Sequence, residues 1–274
     1  DRGSAWTAAL VGVPATSVFI CGSTAVTKPC LAVIYAMHES VEMRYLTRKT
    51  PLIIEDDSLC GKHYSRQKLK SKLQKGDAII SFSRKDVLTL SARFRQWGFT
   101  VASIYGALSP EVRRTESERF CNGQADILVA TDAIGMGLNL PIRRVIFSNI
   151  HKFDGVASRP LNATEVRQIA GRAGRFGIYD IGYVSVLEND ERIHIEHMLN
   201  MNDTSDIQKL PISTQYEQLE TIATQLHTRR ISEVLQFLQD RTTLTNPLFE
   251  QSSLNNQIEQ AKLVDINAPN MSLK

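Results

Sequence analysis

The chain has only four cysteines, Cys21, Cys30, Cys60 and Cys121, and no two of them stand at C-x-x-C spacing. That argues against a zinc ribbon or a disulfide frame and fits the reduced thiols of an intracellular protein. No apolar run approaches the roughly 20 residues that a membrane span requires. No basic stretch followed by an apolar one opens the chain, so a secretory signal is not expected. Charge of one sign is scarce too: 32 Lys and Arg against 29 Asp and Glu leave a net charge of +3. That is too little to identify a polyanionic partner, and any such argument must come from local patches. No G-x-x-x-x-G-K-[ST] string occurs; the nearest, Cys60-Gly61-Lys62-His63, lacks the upstream glycine and the following hydroxyl residue. The one Asp-Glu dipeptide, Asp190-Glu191, lies late in the chain. Without a phosphate cradle and a metal-holding carboxylate, the chain by itself is expected to hydrolyse no ATP. It opens on Asp1-Arg2-Gly3 rather than Met, which leads us to expect a fragment.

What is present can bury a sizeable core: 274 residues, 42% of them hydrophobic, enough for one large domain or one domain with parts of others. Residues 17–21 form a short apolar run ended by Gly22, which predicts a buried strand. A helix is expected after Pro29 and an extended stretch from Val41 to Ile54. The acidic segment Glu55-Asp56-Asp57-Ser58 reads as a linker, and 62–75 as a basic, exposed helix with few apolar residues.

A regular alternation follows. Apolar runs at 77–82, 100–104, 126–130, 144–149 and 183–187 predict buried strands, and helices are expected over 84–97, 110–122 and 163–173. The second helix opens on Ser109-Pro110, a favoured cap and first-turn pair. The third opens on Asn162-Ala163-Thr164-Glu165, where cap and third-position glutamate can satisfy each other's backbone donors. Such alternation implies a mostly parallel sheet covered on both faces, with ligands beyond the carboxyl ends of its strands. After about residue 190 the pattern changes. Tyr216, Leu219, Ile222 and Leu226 recur at helical spacing, as do Ile231, Val234, Leu235 and Leu238, which predicts two amphipathic helices.

The most specific segment is Gln168-Ile169-Ala170-Gly171-Arg172-Ala173-Gly174-Arg175. At helical spacing Gln168, Arg172 and Arg175 share nearly one face, while Ile169, Ala170 and Ala173 face the sheet. Gly171 and Gly174 let another surface approach. One amide and two guanidinium groups aimed together suit a polyanion such as a triphosphate, because arginine keeps its charge and offers a fixed fork of donors. Upstream, Thr131 and Asp132 open a glycine-containing loop at the end of a strand, where a hydroxyl and backbone N–H groups can meet phosphate oxygens.

The string Q-x-x-G-R-x-G-R resembles motif VI of superfamily 2 helicases, and Ala130-Thr131-Asp132 through Gly137-Leu138-Asn139 resembles their motif V. Ser81-Phe82-Ser83-Arg84 ends a strand as motif IV does, and Gly22-Ser23-Thr24-Ala25 is placed as the S-A-T motif of the first motor domain is. The wording of motifs V and VI, with Arg2-Gly3-Ser4-Ala5-Trp6-Thr7 near the start, is similar to the DExH-type helicases of the mitochondrial RNA degradosome and their bacterial relatives. The likeness is dense over 77–187, fair over 1–54 and thin beyond 190.

The resemblance implies an α/β fold: a RecA-like domain with a mostly parallel sheet and flanking helices, followed by a smaller helical region. Residues 1–54 would then be the end of a first RecA-like domain with its linker, 55–190 the second, and 191–274 a helical C-terminal region. It implies catalytic Gln168, Arg172 and Arg175; ATP contacts from Gly137, Asn139 and Gly171, with Asn139 near the ribose; and nucleic-acid contacts from Thr131, Asp132, Ser81, Ser83 and Arg84. Many relatives carry Asp at the position of Asn139. ATP and Mg2+ are the implied cofactors, the Mg2+ held mainly by the first domain. The implied partners are RNA, with DNA as the alternative, the first RecA-like domain, and an exoribonuclease. No membrane is expected, and the compartment is bacterial cytoplasm or, alternatively, mitochondrial matrix. A non-catalytic RecA-like nucleic-acid-binding module and a DNA helicase or translocase are the competing functions.

Weaker candidates have plainer readings beside them. Lys62, Arg66, Lys68, Lys70, Lys72 and Lys75, with Tyr64 the sole aromatic among them, read first as a solvated helix face and alternatively as a phosphate contact. Arg143 and Arg144 read as surface residues. His194 and His197 lack a third ligand nearby, so no metal site is expected.

Overall fold

A computed structural model describes the chain except residues 1–2, 61–65, 136, 156, 189–190, 202–206, 214–216 and 269–274. Arg2, Gly61, Lys62, His63, Tyr64, Met136, Asp190 and Tyr216, all named above, lie outside the described residues. The elements run α1 (Gly3–Gly12), α2 (Thr27–Ala36), β1 (Leu52–Ile54), α3 (Arg66–Lys72), β2 (Asp77–Ile80), α4 (Arg84–Gln96), β3 (Val101–Ile104), α5 (Pro110–Cys121), β4 (Ile127–Ala130), β5 (Arg144–Phe147), β6 (His151–Phe153), β7 (Ser158–Pro160), α6 (Ala163–Ala170), β8 (Gly182–Val186), α7 (Arg192–Asn200), β9 (Leu210–Ile212), α8 (Glu217–Gln225), α9 (Ile231–Arg241), β10 (Phe249–Gln251) and α10 (Asn255–Asn267).

These elements form two compact units, residues 45–203 and residues 1–44 together with 204–274. In the first, six strands make one parallel sheet in the order β1-β8-β5-β2-β4-β3. Successive side chains of each strand point to opposite faces, and both faces are covered. Ala78, Ile80, Ala102, Ile104, Leu128, Ala130, Val145 and Phe147 pack against Phe120 of α5, Val166 and Ile169 of α6 and Ile195 of α7. On the other face Ile79, Val101, Ile127, Val129 and Ile146 meet Leu69 and Leu73 at α3, and Val87 and Phe94 of α4. Each such buried Val, Leu, Ile or Phe side chain stabilises the fold by about 1.5–3 kcal/mol. This is the parallel sheet, covered on both faces, that the alternation implies. Both amphipathic helices expected after residue 210 form in the second unit, where Ala223, Val234, Leu238, Leu254 and Ile258 make a small core among α8, α9 and α10. There, too, α1 lies along β9, which pairs with β10 in parallel.

Four expectations change. The strand expected at 17–21 does not form: no described residue pairs with it, and Phe19 is 92% exposed. A strand needs a partner for its backbone groups, and apolarity alone does not supply one. The boundary expected at residue 54 falls earlier, because Leu52–Ile54 pairs along Gly182–Val184 and so belongs to the sheet. The boundary expected at 190 falls later, because α7 buries Ile195 in the same core. Arg144, read as a surface residue, is buried. It stands in register with Asp77 at the strand starts, where its Nε and Nη2 donate to Asp77 at 3.0 and 2.5 Å and its Nη1 donates to both oxygens of Glu55 at 2.9 Å. Burial pushes the Asp77 carboxyl up from its ordinary range, against the opposing pull of Arg144.

Candidate nucleotide and nucleic-acid site

Because all six strands are parallel, their carboxyl ends share one edge of the sheet. β4 ends there at Ala130, and the chain turns at Thr131, which is 9% exposed; its N–H donates to the carbonyl of Ile104 at 3.0 Å, and its Oγ1 accepts from the Ala133 amide. A 3-10 turn, Asp132–Gly135, follows. Gly137 has φ +74°, a conformation that costs other L-residues steric strain. Gly137 and Asn139 are exposed, while Leu140 is buried in the core.

The Gln168–Arg175 segment begins as the sequence implies. Asn162 Oδ1 accepts from the Glu165 amide at 2.9 Å and Glu165 Oε2 accepts from the Asn162 amide at 3.0 Å, completing the reciprocal cap. The helix expected to reach 173, however, stops at Ala170. Gly171 closes it, and Gly174 takes φ +68° so tightly against Gly182 that a Cβ would sit 2.5 Å from the Gly182 Cα. Gln168, Arg172 and Arg175 therefore do not share one helix flank. They converge all the same. Gln168 Nε2 lies 3.5 Å from the Gly135 carbonyl; Arg172 donates to the carbonyls of Gly135 and, at 3.2 Å, Leu138; Arg175 donates to the carbonyl of Asn139 at 3.1 Å. A bent turn delivers the cluster that a straight helix was expected to deliver, and it is aimed at the loop after Thr131.

Residues 62–177 match the helicase conserved C-terminal domain family. They form a helicase C-terminal domain. The whole chain is similar to the mitochondrial ATP-dependent RNA helicase SUV3 of Candida albicans, 34% identical over 97% of this chain and 36% of that one. It is also similar to the mitochondrial DExH-box ATP-dependent RNA helicase DExH16 of Arabidopsis thaliana, 31% identical over 97% of this chain and 45% of that one. With the mitochondrial ATP-dependent RNA helicase SUPV3L1 of Mus musculus it shares 34% identity over 87% of this chain and 31% of that one. The chain thus spans between about a third and a half of these relatives' lengths.

Other residues of the helicase domain named from the sequence fall differently. Ser81 is fully buried, so its hydroxyl does not face solvent. Ser83 caps α4, accepting from the Asp86 amide at 3.0 Å, and Arg84 lies over the Tyr105 ring at 5.4 Å. Asp132 is engaged by Lys152 Nζ at 2.5 Å, and Lys152 also stands 3.5 Å from Glu165, which binds Arg159 through both carboxylate oxygens. The Arg159 guanidinium holds the Glu165 carboxyl below its ordinary range. In the basic stretch, Lys72 and Lys75 donate to the carbonyls of Ser58 and Gly123. His194 Nε2 is 2.9 Å from the Leu161 carbonyl, and among the described residues no group of three or more His, Cys, Asp or Glu could hold a metal.

Sequence reasoning missed two parts of this site. One is Lys152 on β6, which ties the loop after Thr131 to the cap of α6. The other is Arg48-Lys49-Thr50. Arg48 donates to the carbonyls of Thr50 at 2.6 Å, Gly171 at 2.7 Å and Ala173. Lys49 Nζ lies 4.8 Å from the centroid of Phe176, and the Thr50 methyl fills the space that a Cβ on Gly174 would enter. No local pattern signals a contact between residues so distant in sequence.

Proposed function

We propose that residues 45–203 are the second motor domain of an ATP-driven RNA helicase and complete an ATP site built mainly by a first motor domain. The observation that carries this reading is the convergence of Gln168, Arg172 and Arg175 on the loop after Thr131, at the carboxyl edge of a parallel sheet. Carbonyl oxygens hold these guanidinium groups only through neutral acceptors, and a phosphate offers a stronger, charge-assisted partner. Arg172 and Arg175 would turn to the γ-phosphate of ATP and stabilise charge as the phosphoryl group transfers, with Gln168 helping to orient the attacking water. Gly137, Asn139 and Gly171 border the nucleotide, Asn139 toward the ribose. Mg2+ enters with ATP and is held mainly by the first motor domain.

On the same reading, the loop of Thr131 and Asp132 meets RNA phosphates, joined by Arg84 and the cap at Ser83, while buried Ser81 shapes the turn behind them. Residues 1–44 belong to the end of the first motor domain and 204–274 to a helical C-terminal region. The names of the relatives favour RNA over DNA and a mitochondrial compartment over bacterial cytoplasm. In the full-length protein, Arg175→Ala is expected to lower RNA-stimulated ATP turnover by about 10³-fold or more. Unchanged turnover in steady-state ATPase assays would sink the assignment.

A further inference from the structure

Arg172 and Arg175 sit on a segment that the helix no longer supports. Beyond Ala170, the carbonyls of a helix end lack intrahelical partners, and a bent turn needs something else to fix it. The amides of Arg172, Ala173 and Gly174 donate to Ile169, Ala170 and Ile142. For the carbonyls of Gly171 and Ala173, the bond comes from Arg48.

We infer that Arg48, Lys49 and Thr50 form a clasp that positions the arginine turn for catalysis, with Arg48 as its principal positioning residue. The inference rests on the motor reading above. Three consecutive residues each touch a different part of the turn. The planar fork of Arg48 spans two carbonyls and therefore sets the turn's orientation as well as its location. A cation at this point also complements the negative end of α6. The Thr50 methyl packs where Gly174 has no side chain, and the Lys49 ammonium lies over the ring of Phe176, the neighbour of Arg175.

A merely structural peg would look different. The sheet edge here is already secured by backbone pairing: Gly182 donates to the Pro51 carbonyl at 2.9 Å, and Leu52–Ile54 follows in register with Gly182–Val184. The Arg48 side chain adds nothing to that ladder and reaches instead to the turn. The chain enters this compact unit at Tyr45, three residues before Arg48, so a displacement of that entry would be felt at the arginines.

The test compares three variants in the full-length protein. Arg48→Met should lower kcat for RNA-stimulated ATP hydrolysis by about 10- to 100-fold while KM for ATP stays nearly constant. Arg48→Lys, which keeps a cation but not the fork, should recover part of that loss. In this chain alone, Arg48→Met should speed amide hydrogen exchange over 171–176 and leave exchange over 182–186 unchanged. Slow exchange retained at the turn, normal kcat in Arg48→Met, or a loss that merely follows a lowered melting temperature would each overturn the clasp. Arg175→Ala separates the two ideas. If it abolishes turnover while Arg48→Met leaves kcat normal, the clasp is wrong and the motor reading stands. If Arg175→Ala is without effect, the motor reading falls and the clasp with it.

Discussion

Gly174 and Gly177 both have positive φ, +68° and +82°, yet their surroundings differ. A Cβ on Gly174 would meet Gly182 backbone atoms at 2.5 Å and the Thr50 methyl at 2.8 Å, whereas nothing lies within 4 Å of one on Gly177. Gly177→Ala should therefore cost only the strain of a left-handed alanine, about 1–2 kcal/mol. Gly174→Ala adds overpacking against a strand and should destabilise by about 2–5 kcal/mol in urea unfolding. Equal losses would show that the close approach to Gly182 carries no weight. At this scale the sequence singled out three residues without showing how they are held. Gln168, Arg172 and Arg175 stood out because amide, guanidinium and glycine recur in one string. Their route to convergence was hidden, since two glycines so close together permit either a helix or a turn, and the choice depends on Gly182 and Arg48, far away in the chain.

Strands β2 to β5 and β8 were legible as elements because each is a short apolar run bounded by polar residues, and α5 because Ser109 marks its start with a side-chain cap. β1 was legible only as the end of the extended stretch expected from Val41 to Ile54; its pairing with β8 is a tertiary fact. The start of α6 was readable to the residue through its reciprocal cap. Glu165 does more there than cap, since it also receives Arg159 and stands near Lys152. Arg159 and the cap amide both hold its carboxyl below the usual glutamate range. A depressed carboxyl stabilises the folded state above its unfolded pKa, and that contribution is lost as pH falls through the folded value. Thermal unfolding should thus lose stability on acidification below about pH 4.3. Glu165→Gln should flatten part of that slope; an identical pH profile for wild type and variant would remove Glu165 from the account.

For the molecule as a whole, the motifs announced a motor whose nucleotide cradle this chain does not contain. The chain alone is therefore expected to show no RNA-stimulated ATP hydrolysis, and addition of a separately produced first motor domain should restore measurable turnover. A robust ATPase measured on the chain alone would refute this. The two compact units were only partly legible, because a boundary read from composition at Glu55-Asp56-Asp57-Ser58 overlooks that Glu55 is recruited to the buried Arg144.

The sheet's register has a bearing on how the protein is made. Leu52 pairs with Gly182, so the first strand of this sheet to leave the ribosome is among the last to find its neighbour. Until β8 emerges, β1 waits beside an open edge with its backbone groups hydrated, and the Arg48 fork has no carbonyls at Gly171 and Ala173 to grasp. Closing so long a loop is slow relative to local helix formation, and an unpaired edge invites association with other chains. Nascent-chain folding of this unit should accordingly finish in one late step, when sheet edge and arginine turn lock together.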